Sequence, residues 1–176
     1  MQSSTLPSAL KEIFSIGFEF KYDEGTDETI GIDFEPYEEF EDPEDTEWWF
    51  RLWTGNNKAD GSQFRIFGQT GSGDYVGFWL IRPNAKVAEQ PIICLGSEGE
   101  RGVIARDMED LLWVFANGSG PIEALEEPEK ETVGNETFRS IAQKFARGRK
   151  LSTKEIVNAA QAEFPDFPEI VTAMCN

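Results

Sequence analysis

Residues 64–81 read FRIFGQTGSGDYVGFWLI, and this stretch decides the fold because it predicts a β-hairpin. Residues 64–67 and 75–81 are rich in the aromatic and β-branched residues that favour strands. The segment between them, GQTGSGD at 68–74, contains three glycines, which allow the chain to make a tight turn. We therefore expect an antiparallel pair of strands here.

Further strand patterns lie on both sides of this hairpin. Their residues are apolar, aromatic or β-branched, and glycine-rich or acidic segments separate them. They are residues 30–34 (IGIDF), 48–53 (WWFRLW), 91–95 (PIICL) and 102–105 (GVIA). Strand follows strand here without alternating helices, which predicts an α+β fold with a mostly antiparallel sheet flanked by helices.

Helical patterns occur at the two ends of this strand-rich part. Residues 6–17 carry apolar side chains at helical spacing and end in Gly17. Asp107 is a typical helix cap, and an apolar helical pattern follows it as far as Gly118. These two helices are the ones expected to flank the sheet.

Residues 133–176 differ in composition and period from the preceding chain. They hold six bases and five acids. The acidic stretch at residues 123–131, which contains Pro128, indicates a linker before them. Their helix-start signals are Asn135, the capping box of Ser152 and Glu155, and Pro168. We therefore predict an α+β domain over residues 1–127 and a helical C-terminal appendage over residues 133–176.

The composition excludes several classes of site. The chain has 176 residues, of which 39% are hydrophobic, and the 14 Phe and 5 Trp supply ample material for a core. It contains no histidine and only two cysteines, Cys94 and Cys175. This excludes Ser-His-Asp and Cys-His catalysis, His-ligated zinc and a four-thiolate metal site. We expect no metal and no cofactor.

Nothing in the sequence points to a membrane. No segment approaches the ~18 consecutive apolar residues of a membrane span, and the start, MQSSTLPSALKEIF, has no signal-peptide pattern. The sequence therefore predicts a cytoplasmic protein with no membrane association and with both thiols free.

The negative charge is concentrated in one segment. The chain has 33 acids, 16 bases and a formal net charge of −17. Residues 23–47 hold 13 acids and no Lys or Arg, so the remaining 20 acids and 16 bases leave only −4. Such a segment repels phosphate backbones and attracts a basic protein. We expect no nucleic-acid partner; an acidic, solvating loop without any partner is the other interpretation.

Two tryptophans directly follow the acidic run. Adjacent side chains of a strand point to opposite faces, so one tryptophan can lie in the core while the other is an exposed binding anchor. Of the two interpretations, a core role for both tryptophans is favoured. The candidate partner-binding residues are Glu35, Glu38, Glu39, Glu41, Asp42, Glu44, Asp45, Glu47, Trp48 and Trp49.

No motif assigns catalytic chemistry. The cluster GQTGSGD lacks the Gly-Lys-Ser/Thr of a phosphate loop and precedes a strand rather than a helix. Paired carboxylates are frequent, but they cluster with each other rather than with apolar residues that would raise the pKa of one of them. We name no catalytic residue.

Three segments, in this order, resemble the SUKH superfamily. They are LPSALKEIFSIG at 6–17, IFGQTGSGDYVGFWLI at 66–81 and PIICLGSEGERGVIARDMEDLLWVFANG at 91–118. The superfamily includes bacterial immunity proteins that bind and neutralise toxin domains, often nucleases, and related fungal regulators of cell-wall synthesis. The resemblance covers roughly residues 5–118; the acidic run is an unusually long insertion within it, and the chain from residue 133 lies outside it.

The resemblance implies an α+β fold without catalytic residues. Gly71, Gly73 and Asp74 match the turn motif of the family, and Gly68 matches the strand end before it. All four are expected to define the fold. The expected function is a non-enzymatic protein-binding module, an immunity protein that neutralises a basic bacterial toxin. A regulatory or scaffold domain without a cognate toxin is the first alternative, and a carboxylate-based hydrolase is a weaker one. The oligomeric state stays open.

Overall fold

The computed structural model describes residues 4–176, so residues 1–3 of the predicted α+β domain lie outside the described part. Its strands form a two-stranded and a five-stranded antiparallel sheet. The small sheet pairs β1 (Phe20–Asp23) with β2 (Glu28–Gly31). The large sheet has the strand order β3 (Glu35–Pro36), β4 (Phe64–Gln69), β5 (Tyr75–Trp79), β6 (Ile92–Leu95) and β7 (Arg101–Ala105).

Helices precede, interrupt and follow these strands. They are α1 (Ser8–Ile16), α2 (Pro43–Thr54), α3 (Met108–Ala116), α4 (Pro121–Glu126), α5 (Glu136–Phe145), α6 (Thr153–Glu163) and α7 (Phe167–Thr172). Short 3-10 turns span Val87–Glu89 and Arg147–Arg149. The predicted α+β class, with an antiparallel sheet and helices at the C-terminal end, is confirmed.

The hairpin β4–β5 forms where the sequence predicts it. Phe64 pairs with Trp79 and Gln69 with Tyr75, with a register shift between Ile66 and Gly68. Gly68 is required by close packing, because a Cβ atom there would lie 2.3 Å from the Phe34 ring. The outer strand β3 is thereby brought against β4.

Alternation along the strands divides the interior into two cores. On β6, Ile92 and Cys94 face one core while Ile93 and Leu95 face the other. The first core is covered by α1, α3 and α5, and the second by α2 and α7. The sheet is therefore a central layer with helices on both faces.

The C-terminal helices belong to the same packed unit as the sheet. Phe138 of α5 lies in the first core, and Phe167 of α7 lies in the second. Helix α6 contributes Ile156 to the first core and Ala160 to the second, so it lies across the edge of β7. The predicted boundary between residues 127 and 133 therefore falls within one packed unit, and truncation is its direct test.

A salt-bridge network also joins the predicted appendage to α3. The buried Asp110 carboxylate accepts hydrogen bonds from Arg106 Nε at 2.7 Å and Arg149 Nη1 at 3.1 Å. Arg149 also donates to Asp107, and the Trp113 indole donates to the Ala146 carbonyl at 2.8 Å. These contacts fix the 3-10 turn that precedes α6.

The predicted strand at residues 48–53 is wrong, because these residues lie within α2. Asp42 caps the helix by accepting a hydrogen bond from the Glu44 N–H at 2.9 Å, and Pro43 occupies the first turn. Gly55 ends the helix in a left-handed conformation with φ 65°. These terminal signals outweigh the aromatic composition that favoured a strand.

Two other local predictions need correction. The acidic run is not one long loop, since it includes β2, β3 and the first turn of α2. The segment expected to be a linker begins within a helix, α4, in which Pro121 occupies the first turn.

Candidate functional site

Helix α2 presents an exposed apolar pair. Trp48 and Leu52 are 66% and 62% exposed. They are four residues apart, so their side chains are neighbours on the same side of the helix. Leu52 was missed from the sequence, because its spacing from Trp48 is informative only if the segment is helical. We call Trp48, Leu52 and the flanking acids Asp42, Glu44 and Asp45 the α2 face.

The exposed acids of the α2 face lie at the N-terminus of the helix. Glu44 and Asp45 occupy the first turn, and Asp42 is the N-cap. Glu44 precedes Trp48 by one helical turn, so the apolar pair continues into negative charge along the same side. Negative side chains stabilise a helix N-terminus by about 0.3–1 kcal/mol, so these acids also serve the helix itself.

Three more of the predicted acids precede α2. Glu35 lies in β3, and Glu38 and Glu39 lie in the segment between β3 and α2; all three are exposed. Their charges add to the negative potential along the approach to the helix.

Trp49 belongs to the core and not to the exposed surface. It is 5% exposed, and its ring stacks on Tyr75 with the ring centroids 3.7 Å apart. Its indole N–H donates to Glu41 Oε2 at 2.6 Å. The neighbouring tryptophans of α2 therefore have different environments, as expected if one were core and one exposed, although the cause is helical and not strand geometry.

Glu41 and Glu47 are occupied by contacts within the protein. Glu41 Oε2 also accepts the Thr46 hydroxyl at 2.6 Å, and Glu47 forms an ion pair with Arg51 one turn further along α2. Burial, and next to it the charge of Glu41, raise the pKa of Tyr75. The Glu41 backbone N–H also donates to the Ile66 carbonyl of β4 at 2.9 Å. Glu41 therefore links α2 to the sheet, and it contributes less free charge to the surface than its exposed neighbours.

The turn residues 68–74 have structural contacts. Asp74 is 4% exposed; its Oδ1 accepts the Ser97 backbone N–H at 2.7 Å, and its Oδ2 accepts the Thr70 hydroxyl. Gly71 donates its N–H to Asp33 Oδ1 at 2.9 Å, and Gly73 has φ +87°. These residues join the β4–β5 turn to the β6–β7 turn.

Three further observations concern metal ions, cavities and membranes. Within residues 4–176, no group of three or more Cys, Asp or Glu side chains is arranged to hold a metal ion. An apolar cavity of about 320 Å³ lies beside Phe40 and Arg65, and no carboxylate lines it. Nor is any helix within the same residues long and apolar enough to cross a membrane.

The geometry described above is an exposed tryptophan–leucine pair beside a cluster of acids. Protein families, curated proteins and solved structures were compared with the chain, and none of them matches it.

Proposed function

We propose that this chain is a non-enzymatic protein-binding module that binds a basic protein through the α2 face. The observation that carries the proposal is the exposure of Trp48 and Leu52 side by side, next to Asp42, Glu44 and Asp45. The resemblance to the SUKH superfamily supports a more specific form, in which the partner is a bacterial toxin domain and the chain is its immunity protein.

The apolar pair suits the centre of an interface. Tryptophan is enriched among the residues that dominate binding energy, and such anchors act best when surrounding contacts exclude water. A helix that presents residues at a spacing of four can place both side chains in one groove of a partner. Trp48 and Leu52 meet this requirement, whereas the buried Trp49 does not.

The surrounding charge suits the approach of a cationic surface. The acids of the α2 face and of residues 35–39 are exposed and close in sequence, and the whole chain carries −17. Opposite charges on two proteins accelerate encounter, and screening by salt weakens the effect. Nuclease toxins must bind nucleic acid and therefore carry basic surfaces, which is the charge that this face would attract.

The test first identifies the partner by a pull-down with the tagged chain from its native host, and then measures binding of the purified partner to the purified chain. We expect the double variant Trp48→Ala/Leu52→Ala to bind at least about 30-fold more weakly, because one interface anchor contributes about 2 kcal/mol or more. The matched control is Ile81→Ala, which shortens an exposed aliphatic side chain outside α2. Equal loss in the control, or unchanged affinity in the double variant, would place the interface elsewhere.

A second arm tests the charges separately. Replacing Glu38, Glu39, Glu44 and Asp45 by their amides should slow association and flatten its dependence on salt, with a smaller effect on dissociation. Glu41 is left intact because it is hydrogen-bonded to Trp49. An unchanged rate of association at low salt would contradict the electrostatic part of the proposal.

Inhibition separates the immunity form from the scaffold form. An immunity protein abolishes the toxic activity when the complex forms, and the double variant loses this protection. Binding without inhibition would leave a scaffold or regulatory domain that uses the same face.

A further inference from the structure

The small sheet has a strand edge that is not paired within the described chain. In the pair β1–β2, the Ile32 N–H donates to the Glu19 carbonyl at 2.8 Å. Hydrogen-bonded pairs recur every second residue, so Ile30 and Glu28 bond to β1 whereas Thr29 does not. The backbone N–H and C=O of Thr29 therefore point outward, away from β1.

This edge borders a groove of about 410 Å³. One wall is β2, and the other is the segment at residues 130–133. At about 3.3 Å per residue, the four residues of β2 span about 13 Å, which is the length of a short extended peptide.

The wall opposite β2 is anchored to the rest of the molecule. The Thr132 hydroxyl donates to the Asn117 carbonyl at 2.6 Å, and the Asn135 N–H donates to the Ala116 carbonyl at 3.0 Å. The segment also approaches Gly118 so closely that a Cβ atom there would lie 2.0 Å from the Val133 carbonyl oxygen. The groove is therefore bounded on both sides by fixed backbone.

The lining of the groove combines negative charge with exposed apolar side chains. Ile30 is 57% exposed on one side, and Val133 is 91% exposed on the other. One base, Lys130, lies among the acids, and it is 3.7 Å from Glu127 outside the groove. The acids of the lining are Asp27, Glu28, Glu123 and Glu131.

Glu123 is partly buried, whereas the other three acids of the lining are exposed. Its Oε2 atom is buried and has no hydrogen-bond partner. Burial raises the pKa of Glu123, whereas the backbone N–H groups of Glu123 and Gly120 and the charge of Lys130 lower it. Neither N–H group makes a hydrogen bond of normal geometry to Oε2. A cationic group entering the groove would offset the cost of this buried carboxylate.

We propose that the groove between β2 and residues 130–133 binds an extended peptide segment of a partner protein, with alternating basic and apolar side chains, as an additional strand on β2. The outward N–H and C=O of Thr29 supply main-chain hydrogen bonds, as in other cases of strand addition. The acids select basic side chains, and Ile30 and Val133 contact the apolar ones. Like charges oppose the pairing of two copies of this chain at the same edge. The site is separate in sequence from the α2 face and does not depend on it.

The experiment uses a fluorescent peptide of alternating Lys and Val, titrated into the full chain and followed by anisotropy. Thr29→Pro removes the outward donor without removing a hydrogen bond to β1 and should abolish binding. The matched variant Thr29→Ala should bind normally. Glu123→Gln should weaken binding by about tenfold, because hydrogen bonds to charged groups are the stronger ones.

Peptide controls separate strand addition from general attraction to an acidic protein. A peptide with Glu in place of Lys, and one with Pro at its centre, should both fail to bind. In the unmodified chain, the Lys–Val peptide should slow hydrogen exchange at the Thr29 amide, a readout that holds even if Thr29→Pro disturbs the hairpin. The double variant Trp48→Ala/Leu52→Ala should bind the peptide normally.

Several results would overturn the proposal. These are an absence of binding, equal binding of the Glu or Pro peptide, an unprotected Thr29 amide, or loss of peptide binding in the α2 double variant. Concentration-dependent dimers that Thr29→Pro abolishes would assign the edge to a second copy of the chain and would also overturn it.

Discussion

The adjacent tryptophans of α2 should respond very differently to truncation. Trp49→Ala removes a side chain that is 5% exposed, stacked on Tyr75 and hydrogen-bonded to Glu41 at 2.6 Å. Burial of this kind contributes about 3–5 kcal/mol to stability. Trp48→Ala removes a side chain that is 66% exposed, so we expect a change within about 0.5 kcal/mol.

Trp49→Phe divides the contribution of Trp49. Phenylalanine retains an aromatic ring beside Tyr75 but cannot donate to the Glu41 carboxylate. A hydrogen bond to a charged group contributes about 1.5–3 kcal/mol, and Glu41 keeps the Thr46 hydroxyl as a donor. We therefore expect Trp49→Phe to lower the free energy of unfolding by about 2 kcal/mol.

Urea unfolding followed by far-UV circular dichroism measures these differences, because the signal does not depend on tryptophan emission. The slope of the unfolding free energy against urea should be similar in all variants, which makes the midpoints comparable. Equal losses from Trp48→Ala and Trp49→Ala would refute the helical placement of the pair. A loss below about 1 kcal/mol in both variants would refute the packing of α2 on the sheet.

Three further predictions concern burial elsewhere. Burial raises the pKa of Glu123, so the stability contributed by its protonated form is complete below the unfolded pKa of about 4.3 and is lost as pH rises through the folded pKa. The variant Glu123→Gln cannot ionise, so its stability relative to the unmodified chain should rise between about pH 4 and pH 7. A difference in urea midpoints that stays constant over this range would contradict the prediction. A chain ending near residue 130 should lose cooperative thermal unfolding, since the helices that follow supply both cores, whereas a separable appendage predicts that cooperativity remains. Burial and nearby acids raise the pKa of Cys94, so a thiol reagent at neutral pH should modify Cys175 first. In the variant Cys175→Ser, mass spectrometry should detect no modification of Cys94 until the protein unfolds.

The central sheet could be predicted from sequence because its strands are short apolar runs separated by glycine turns. The same patterns fail where composition and terminal signals disagree. In α2, WWFRLW favours a strand, yet Asp42-Pro43 before it and Gly55 after it are helix-end signals that could have corrected the prediction. β1 was missed although its aromatic residues Phe20 and Tyr22 alternate with the charged Lys21 and Asp23, which is a strand pattern.

The candidate site was only partly accessible from the sequence. The acidic charge is a local property and was predicted. The exposure of one tryptophan was one of two interpretations left open, and it was based on strand geometry, whereas the structure places both tryptophans in a helix. The hydrogen bonds that Glu41 accepts from Trp49 and Thr46 could not be predicted, because they depend on the turn that folds residue 41 back onto α2. Likewise, caps located the C-terminal helices, but no local pattern reveals which surface a helix will cover.

The position of α6 has a consequence for synthesis on the ribosome. Helix α6 lies across the edge of β7, but three helices separate the two elements along the chain. At about 5–20 residues per second, β7 emerges several seconds before the helix that protects it. β7 contains no proline, and its one charged residue is Arg101 at its start, so it has few of the features that keep an open strand edge from pairing with other chains. The nascent protein therefore passes through an interval in which its last strand is open to other chains, and a pause in translation before α6 would prolong that interval.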